Sequence, residues 1–509
     1  MTDHGGGSGD GGGDGKGRVD GDGEGRVDES DSDEGDVSGL VAALAERAAS
    51  LRDDGGDGSA APSAATTRFP SVTPVSDETH ASGSRDWTDE YGVYATRIAD
   101  APAAETGPLA GLAVAVKDNV AVAGVTHQLG LDGLDWAPTR DATVVRRLRA
   151  AGATLRGTTR MDAAAMGATG ESSARGRTEN PEAPGHVPGG SSSGSAAAVA
   201  AGAVDAAVGT DTGGSVRVPA AFCGVVGIKP TVDRVPRTGV ADLAPTLDHV
   251  GVLASDVATT ARVLREVSGA DPRRPTTAGA TPLGPLPDLD PADLAVVVPE
   301  SVLAVAEPGV TDRFEATLSR LGEHGVTVDR EPFPEHADAE FANQLHTLPE
   351  FAAVVDGRVP GGTAAQTPSL RAALAAFPER RFPERVRRLL AIGRGLRAEA
   401  PESYAAAWRF RERLTERTRR LLADADALVT PTAPTPPLRF GAVGDGDDTP
   451  YTVSDLLANT APFDCTGQPA VTVPAGRVDG QPVGVQVVTE AGTDERALAV
   501  ARVLESVVS

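Results

Sequence analysis

Between Pro188 and Thr231 the chain reads PGGSSSGSAAAVAAGAVDAAVGTDTGGSVRVPAAFCGVVGIKPT, a stretch that leaves few folds open. Two Gly-Gly-Ser units, ending at Ser191 and Ser215, enclose a segment of small residues. The apolar run Ala206-Ala207-Val208-Gly209 reads as a strand, and it leads into Asp211-Thr212-Gly213-Gly214-Ser215. Val216 to Phe222 reads as the start of a helix. Glycines in such a turn let backbone N–H groups converge beside the Ser215 hydroxyl. Gly189-Gly190-Ser191-Ser192 is a second turn, followed by the helix-capable segment Ser195 to Ala201. Upstream, the strand-like run Leu112 to Val116 ends in Lys117-Asp118-Asn119.

An amide is a poor electrophile. Its hydrolysis needs a nucleophile, a base, donors for the developing oxyanion and a proton for the leaving amine. Ser215 is placed to be the nucleophile, and Ser191 can relay a proton if its hydroxyl faces Ser215. The base is indicated by lysine usage: the chain has three lysines, Lys16, Lys117 and Lys229, against 44 arginines. Arginine cannot be deprotonated in a protein, whereas a desolvated lysine becomes a neutral base. Lys117 sits where a strand would deliver it to a site. Each feature alone has a plainer explanation, since Gly-Gly-Ser is mostly linker and a lone lysine is a solvated strand end. A nucleotide cradle lacks the Gly-Lys-Ser/Thr ending of a P-loop, and an inactive binding module would have lost a catalytic residue. The three features together point to a hydrolase.

From about Gly107 to the C-terminus these residues resemble the amidase signature family of serine hydrolases. The resemblance implies Lys117 as base, Ser191 as a relay serine preceded by a cis peptide bond, and Ser215 as the acylated nucleophile. It implies an oxyanion hole from the backbone amides of Thr212, Gly213, Gly214 and Ser215, with Gly189, Gly190, Ser192, Asp211 and Arg217 in support. Ser193-Gly194 departs from the Gly-Gly of many relatives. The implied fold is α/β, a single large domain with a mixed, mostly parallel sheet sandwiched between helices, and no metal or organic cofactor. The implied reaction is hydrolysis of a small-molecule carboxylic acid amide to acid and ammonia or amine. The alternative is the A subunit of a glutamyl- or aspartyl-tRNA amidotransferase, which requires partner subunits. Members of that subfamily carry an acid just before a Pro-x-Asn-Leu-Ala-Gly-x-Pro block. Here Pro462 to Pro469 reads PFDCTGQP and the acid's place holds Leu457, with Asp455 two positions away. That difference favours a free amidase.

Along the chain, residues 1–36 are almost entirely Gly, Asp, Glu and Ser, which predicts a disordered acidic tail and no signal peptide. Leu40, Leu44, Ala48 and Leu51 share one helical face, and Gly55 to Arg85 reads as a linker, so 37–85 is expected to be helix plus linker. The amidase domain is then 86–509, its signature core about 107–268. Asp141 reads as the cap of a helix ending at Gly152, and alternating helix and strand patterns signal an α/β body. His249, the histidine nearest the signature on its C-terminal side, reads as structural, and Cys223 as a buried small residue. Phe333 to Ala400 reads as helical, and the resemblance implies that it covers the pocket. Asp479-Gly480 joins two alternating strands. A net charge of −25 disfavours direct nucleic-acid binding. No run is long enough for a membrane helix, so a cytoplasmic protein is expected, with a homodimer left open. Scarce lysine amid abundant acids and arginine looks like adaptation to high intracellular salt, with a GC-biased genome as the competing explanation.

Overall fold

The short Val- and Ala-rich runs lack alternation, and they fold as strands buried on both faces. The computed structural model describes residues 29–51, 89–98, 105–358, 368–444 and 449–508. Its strands are β1 (Tyr94–Arg97), β2 (Ala113–Lys117), β3 (Thr154–Thr159), β4 (Ala206–Asp211), β5 (Val226–Lys229) and β6 (His249–Ala254). The later ones are β7 (Ala295–Pro299), β8 (Thr327–Glu331), β9 (Ala427–Pro431), β10 (Ala470–Val478) and β11 (Gln481–Val488). All belong to one 11-stranded sheet in the order β1-β3-β2-β4-β6-β5-β10-β11-β9-β7-β8, flanked by helices.

The sheet is mixed, as expected, but not mostly parallel. β2 is parallel to β3 and β4, and β7 to β8 and β9. The remaining described pairings are antiparallel. The centre is assembled from returns and a hairpin, and doubly buried apolar runs carry no mark of strand direction. The β10–β11 hairpin turns at Asp479-Gly480, both with positive φ (50° and 82°), as a tight primed turn requires.

Other boundaries moved for local reasons. Asp141 does not cap the helix Thr143–Ala150: its carboxylate accepts from Ala123 N (2.8 Å), and Ala142 occupies the cap position. Helix Val257–Val267 does have a side-chain cap, Asp256, which accepts from Thr259 N (2.6 Å). The first helix spans Glu29–Ser50 and so begins inside the expected tail. Acidic residues are favoured in a helix's first turns, so acidic composition alone does not exclude one. Leu40, Leu44, Ala48 and Leu51 are buried as the periodicity predicts, against helices Glu384–Glu399 and Pro401–Leu421. Residues 1–28, Trp87 and the expected linker 55–85 lie outside the described residues. No described helix is long and apolar enough to cross a membrane.

The topology sets the site. β4 and β5 both oppose β6, so β2, β4 and β5 run the same way. They end along one edge of the sheet in Lys117, Asp211 and Lys229. Helix Ser193–Ala200 packs beneath that edge, with Ser193 to Val199 buried. A Cβ at Gly194 would collide with the Val93 carbonyl, so the second glycine of the familiar pair is sterically required and Ser193 is not the constrained position.

Candidate active site

Lys117 closes β2 and is fully buried. Its Nζ donates to Ser191 Oγ (2.8 Å) and to Thr210 Oγ1 (2.9 Å). Thr210 Oγ1 also accepts from Asn119 Nδ2 (3.1 Å). Burial disfavours the ammonium and pushes Lys117 down to about 7, against the opposing pull of the Asp162, Asp211 and Asp248 carboxylates. Near neutral pH the amine is therefore free to accept a proton in about half of the molecules.

The Gly190–Ser191 peptide bond is cis. A Cβ at Gly190 would collide with the Asp162 carboxylate, so only glycine fits. Ser192 ties this turn to β4: its Oγ donates to Thr210 O (3.1 Å) and accepts from Thr210 N (3.3 Å). Ser192 N donates to Ser215 O (3.2 Å), which draws the two serine turns together.

Asp211 folds the second turn. Its Oδ2 accepts from Val216 N (3.0 Å) and Arg217 N (3.3 Å), closing the chain around residues 212–215. Arg217 grips the same carboxylate in bidentate fashion, Nε to Oδ2 at 3.0 Å and Nη2 to Oδ1 at 2.9 Å. Burial opposes ionisation of Asp211, but this grip holds the carboxyl well below the usual range. Arg217 also donates to Asp464, Gln486 Oε1 (2.8 Å) and Thr460 O (2.9 Å).

Within the turn every carbonyl is occupied. Asn343 Nδ2 donates to Thr212 O (3.0 Å), Thr460 Oγ1 to Gly213 O (2.6 Å), and Val218 N to Gly214 O (2.8 Å). The N–H groups of Gly213, Gly214 and Ser215 have no acceptor among the described residues. A turn anchored by its carbonyls, with its N–H groups left over, is a preorganised anion receptor. It faces a pocket of about 50 Å³ lined by Ser215, Thr212, Gly213, the apolar Met166, Leu243, Leu389 and Leu457, and the polar Asn343, Gln344 and Thr347. Arg385 joins this lining, and its Nη1 donates to Met166 O (2.8 Å). Among the described residues no cluster of His, Cys, Asp or Glu is placed to hold a metal ion.

The sequence profile described as Amidase matches residues 88–498. The chain belongs to the amidase family. Among curated amidase relatives it is similar to the A subunit of glutamyl-tRNA(Gln) amidotransferase from Natronomonas pharaonis, at 40% identity over 399 residues, 75% of this chain and 92% of that protein. The protein of the same name from Symbiobacterium thermophilum is 40% identical over 408 residues, 78% of this chain and 83% of that one. Among solved structures, its counterpart from Thermotoga maritima has a TM-score of 0.70 at 31% identity, covering 82% of this chain and 88% of that one. The native peptide amidase from Stenotrophomonas maltophilia has 0.64 at 29%, covering 79% and 83%.

Several members of this amidase site were not singled out from the sequence. Thr210 and Asn119 complete the surroundings of Lys117; Asn119 stands two residues after it, whereas Thr210 has no sequence signal. Asn343 and Leu389 reach the pocket from the helical region beyond Phe333. Lys229 is a second buried lysine: its Nζ donates to Gln468 O (2.5 Å) and lies 3.3 Å from His249 Nε2. His249 is buried and, among the described residues, has no hydrogen bond to Lys117, Ser191 or Ser215, in keeping with a structural role. Cys223 and Cys465 are free buried thiols, and burial pushes both upward, away from the reactive thiolate.

Proposed function

We propose that the chain cleaves the C–N bond of a carboxylic acid amide with Ser215 as nucleophile, Ser191 as relay and Lys117 as base. The observation that carries this is the Lys117–Ser191 hydrogen bond, made by a lysine that burial holds near 7, beside a turn whose N–H groups are unclaimed. Neutral Lys117 takes the Ser191 proton while Ser191 takes that of Ser215, whose Oγ adds to the amide carbon. The N–H groups of Thr212, Gly213, Gly214 and Ser215 receive the oxyanion. The proton then returns through Ser191 to the departing nitrogen, and water releases the acid from Ser215. Gly189, Gly190, Ser192, Asp211 and Arg217 hold the two turns. A fluorophosphonate should label Ser215 in the native chain; labelling of a different residue would refute the assignment.

The fate of the ammonia separates two forms of this reading. The names of the relatives favour the amidotransferase A subunit, with partner subunits, over the free amidase expected from the sequence. One observation favours the free amidase: Leu457, at the place of the subfamily's acid, lines the pocket beside Ser215. Glutamine hydrolysis that emerges only when amidotransferase partner subunits are added would establish the amidotransferase reading. Turnover of simple amides by the chain alone, without preference for glutamine, would establish the free enzyme.

A further inference from the structure

Beside the Ser215 pocket lies a second, narrow chamber that shares Ala165 and Leu243 with it. Its volume is about 30 Å³, room for roughly two or three water-sized groups in file. The walls are mainly apolar, with Leu129, Leu131, Met161 and Phe351 among them. Two polar residues interrupt this lining, Asn119 (3% exposed) and Asp242 (8% exposed). Each carries a buried side-chain oxygen without a hydrogen-bond partner: Oδ1 of Asn119 and Oδ2 of Asp242. Buried acceptors are seldom left unpaired, and two of them on residues that line one chamber call for a donor.

The charges around the chamber narrow the choice of donor. Asp242 Oδ1 accepts from Arg237 Nη1 (3.1 Å), but the same guanidinium also serves Asp248 (3.4 Å) and Asp233 (4.0 Å). Arg274, the next cation, is 3.1 Å from Asp233. Glu350 adds a further nearby acid, so carboxylates outnumber guanidiniums here. Burial accordingly pushes the Asp242 carboxyl above the usual range, a cost that a cation at Oδ2 would relieve.

We infer that the preferred amides carry a primary ammonium on a slender acyl stem, which passes Ala165 and Leu243 and donates to Asn119 Oδ1 and Asp242 Oδ2 in this chamber. The inference rests on the Ser215 acyl-enzyme reading and specifies its substrate class. An apolar wall accepts the methylenes, while the two oxygens accept the N–H groups. Discrimination between a polar group and its apolar isostere is large where a site holds unpaired polar atoms, because the isostere leaves them unpaired.

The test measures protection of Ser215 from fluorophosphonate labelling by isosteric amides: 5-aminopentanamide against hexanamide, and 4-aminobutanamide against pentanamide. In the native chain, half-protection by an ammonium amide is expected at a concentration about tenfold or more below that of its isostere. Asp242→Asn keeps an oxygen for Arg237 but removes the charge, and should bring the ratio close to one. Asn119→Asp adds a charge and should widen it. Equal protection by both members of each pair in the native chain overturns the inference, as does a native ratio that survives Asp242→Asn. If Asp242→Asn fails to fold, the Asn119→Asp variant decides: a ratio no wider than native overturns it. Absence of Ser215 labelling in the native chain refutes the acyl-enzyme reading itself, a result distinct from labelling with equal protection.

Discussion

If Lys117 is the base, the rate of Ser215 acylation follows its neutral fraction. A lysine at its ordinary 10.5 is neutral in only about one molecule in three thousand at pH 7, whereas at the 7 imposed by burial it is neutral in about one in two. Burial thus raises the supply of base by about a thousandfold. Fluorophosphonate labelling measured against pH should rise about tenfold per unit below 7 and level off above about 8. Lys117→Arg keeps the charge but cannot release a proton, so it should be as inactive as Lys117→Met, slower by several orders of magnitude. The same shift has a stability counterpart. Between about 7 and 10.5 the unfolded lysine holds a proton that the folded one has lost, so stability rises with pH across that window. Native protein should therefore gain on Lys117→Met between pH 7 and 10, by up to roughly 4 kcal/mol, and gain nothing below. Lys229 is present in both proteins and cancels. A labelling rate still climbing toward pH 10, or a Lys117→Arg enzyme with substantial activity, would refute the base assignment.

Ser215→Ala and Ser191→Ala should each lose several orders of magnitude in kcat while thermal unfolding stays near native, because both side chains are small and their turns are held by Asp211 and Ser192. Arg217→Met should behave differently: it strands the buried Asp211 and Asp464 carboxylates, costing about 3–5 kcal/mol, visible as a fall in Tm before any effect on chemistry is measured. Deleting residues 1–28 should leave kcat/KM unchanged. Truncation through Leu51 strips Leu40, Val41, Leu44 and Leu51 from the core, at roughly 1.5–3 kcal/mol for each, and should abolish cooperative unfolding at moderate temperature. A net charge of −25 should make Tm rise with added KCl; a flat response would argue against the salt-adaptation reading of the composition.

The two serine turns were readable because each is local. Asp211 to Arg217 closes its own turn through contacts five and six residues apart, and Ser191 and Ser192 sit in a turn that leads directly into their helix. Strand direction was not readable. A doubly buried run such as β4 or β6 presents the same residues whether its neighbour is parallel or antiparallel. The pocket wall was not readable either, since Leu243, Asn343, Leu389 and Leu457 meet only after distant segments pack.

The lysines show where composition stops being informative. Rarity marked Lys117 and Lys229 equally, and both are fully buried and lowered, to about 7 and about 8. What separates them is the chemistry of their partners. Lys229 donates to the carbonyls of Gln468 and Pro230, which hold no proton to give up, and its other near partner is the His249 imidazole at 3.3 Å rather than a hydroxyl. Lys117 meets the hydroxyls of Ser191 and Thr210, and a hydroxyl can both accept from an ammonium and donate to an amine. A carbonyl accepts from a lysine whether it is charged or neutral and gives nothing back, whereas a serine hydroxyl can also exchange a proton with it. The contacts on which the proposed base differs from the other buried lysine thus lie 74 and 239 residues away in sequence, beyond the reach of any local pattern.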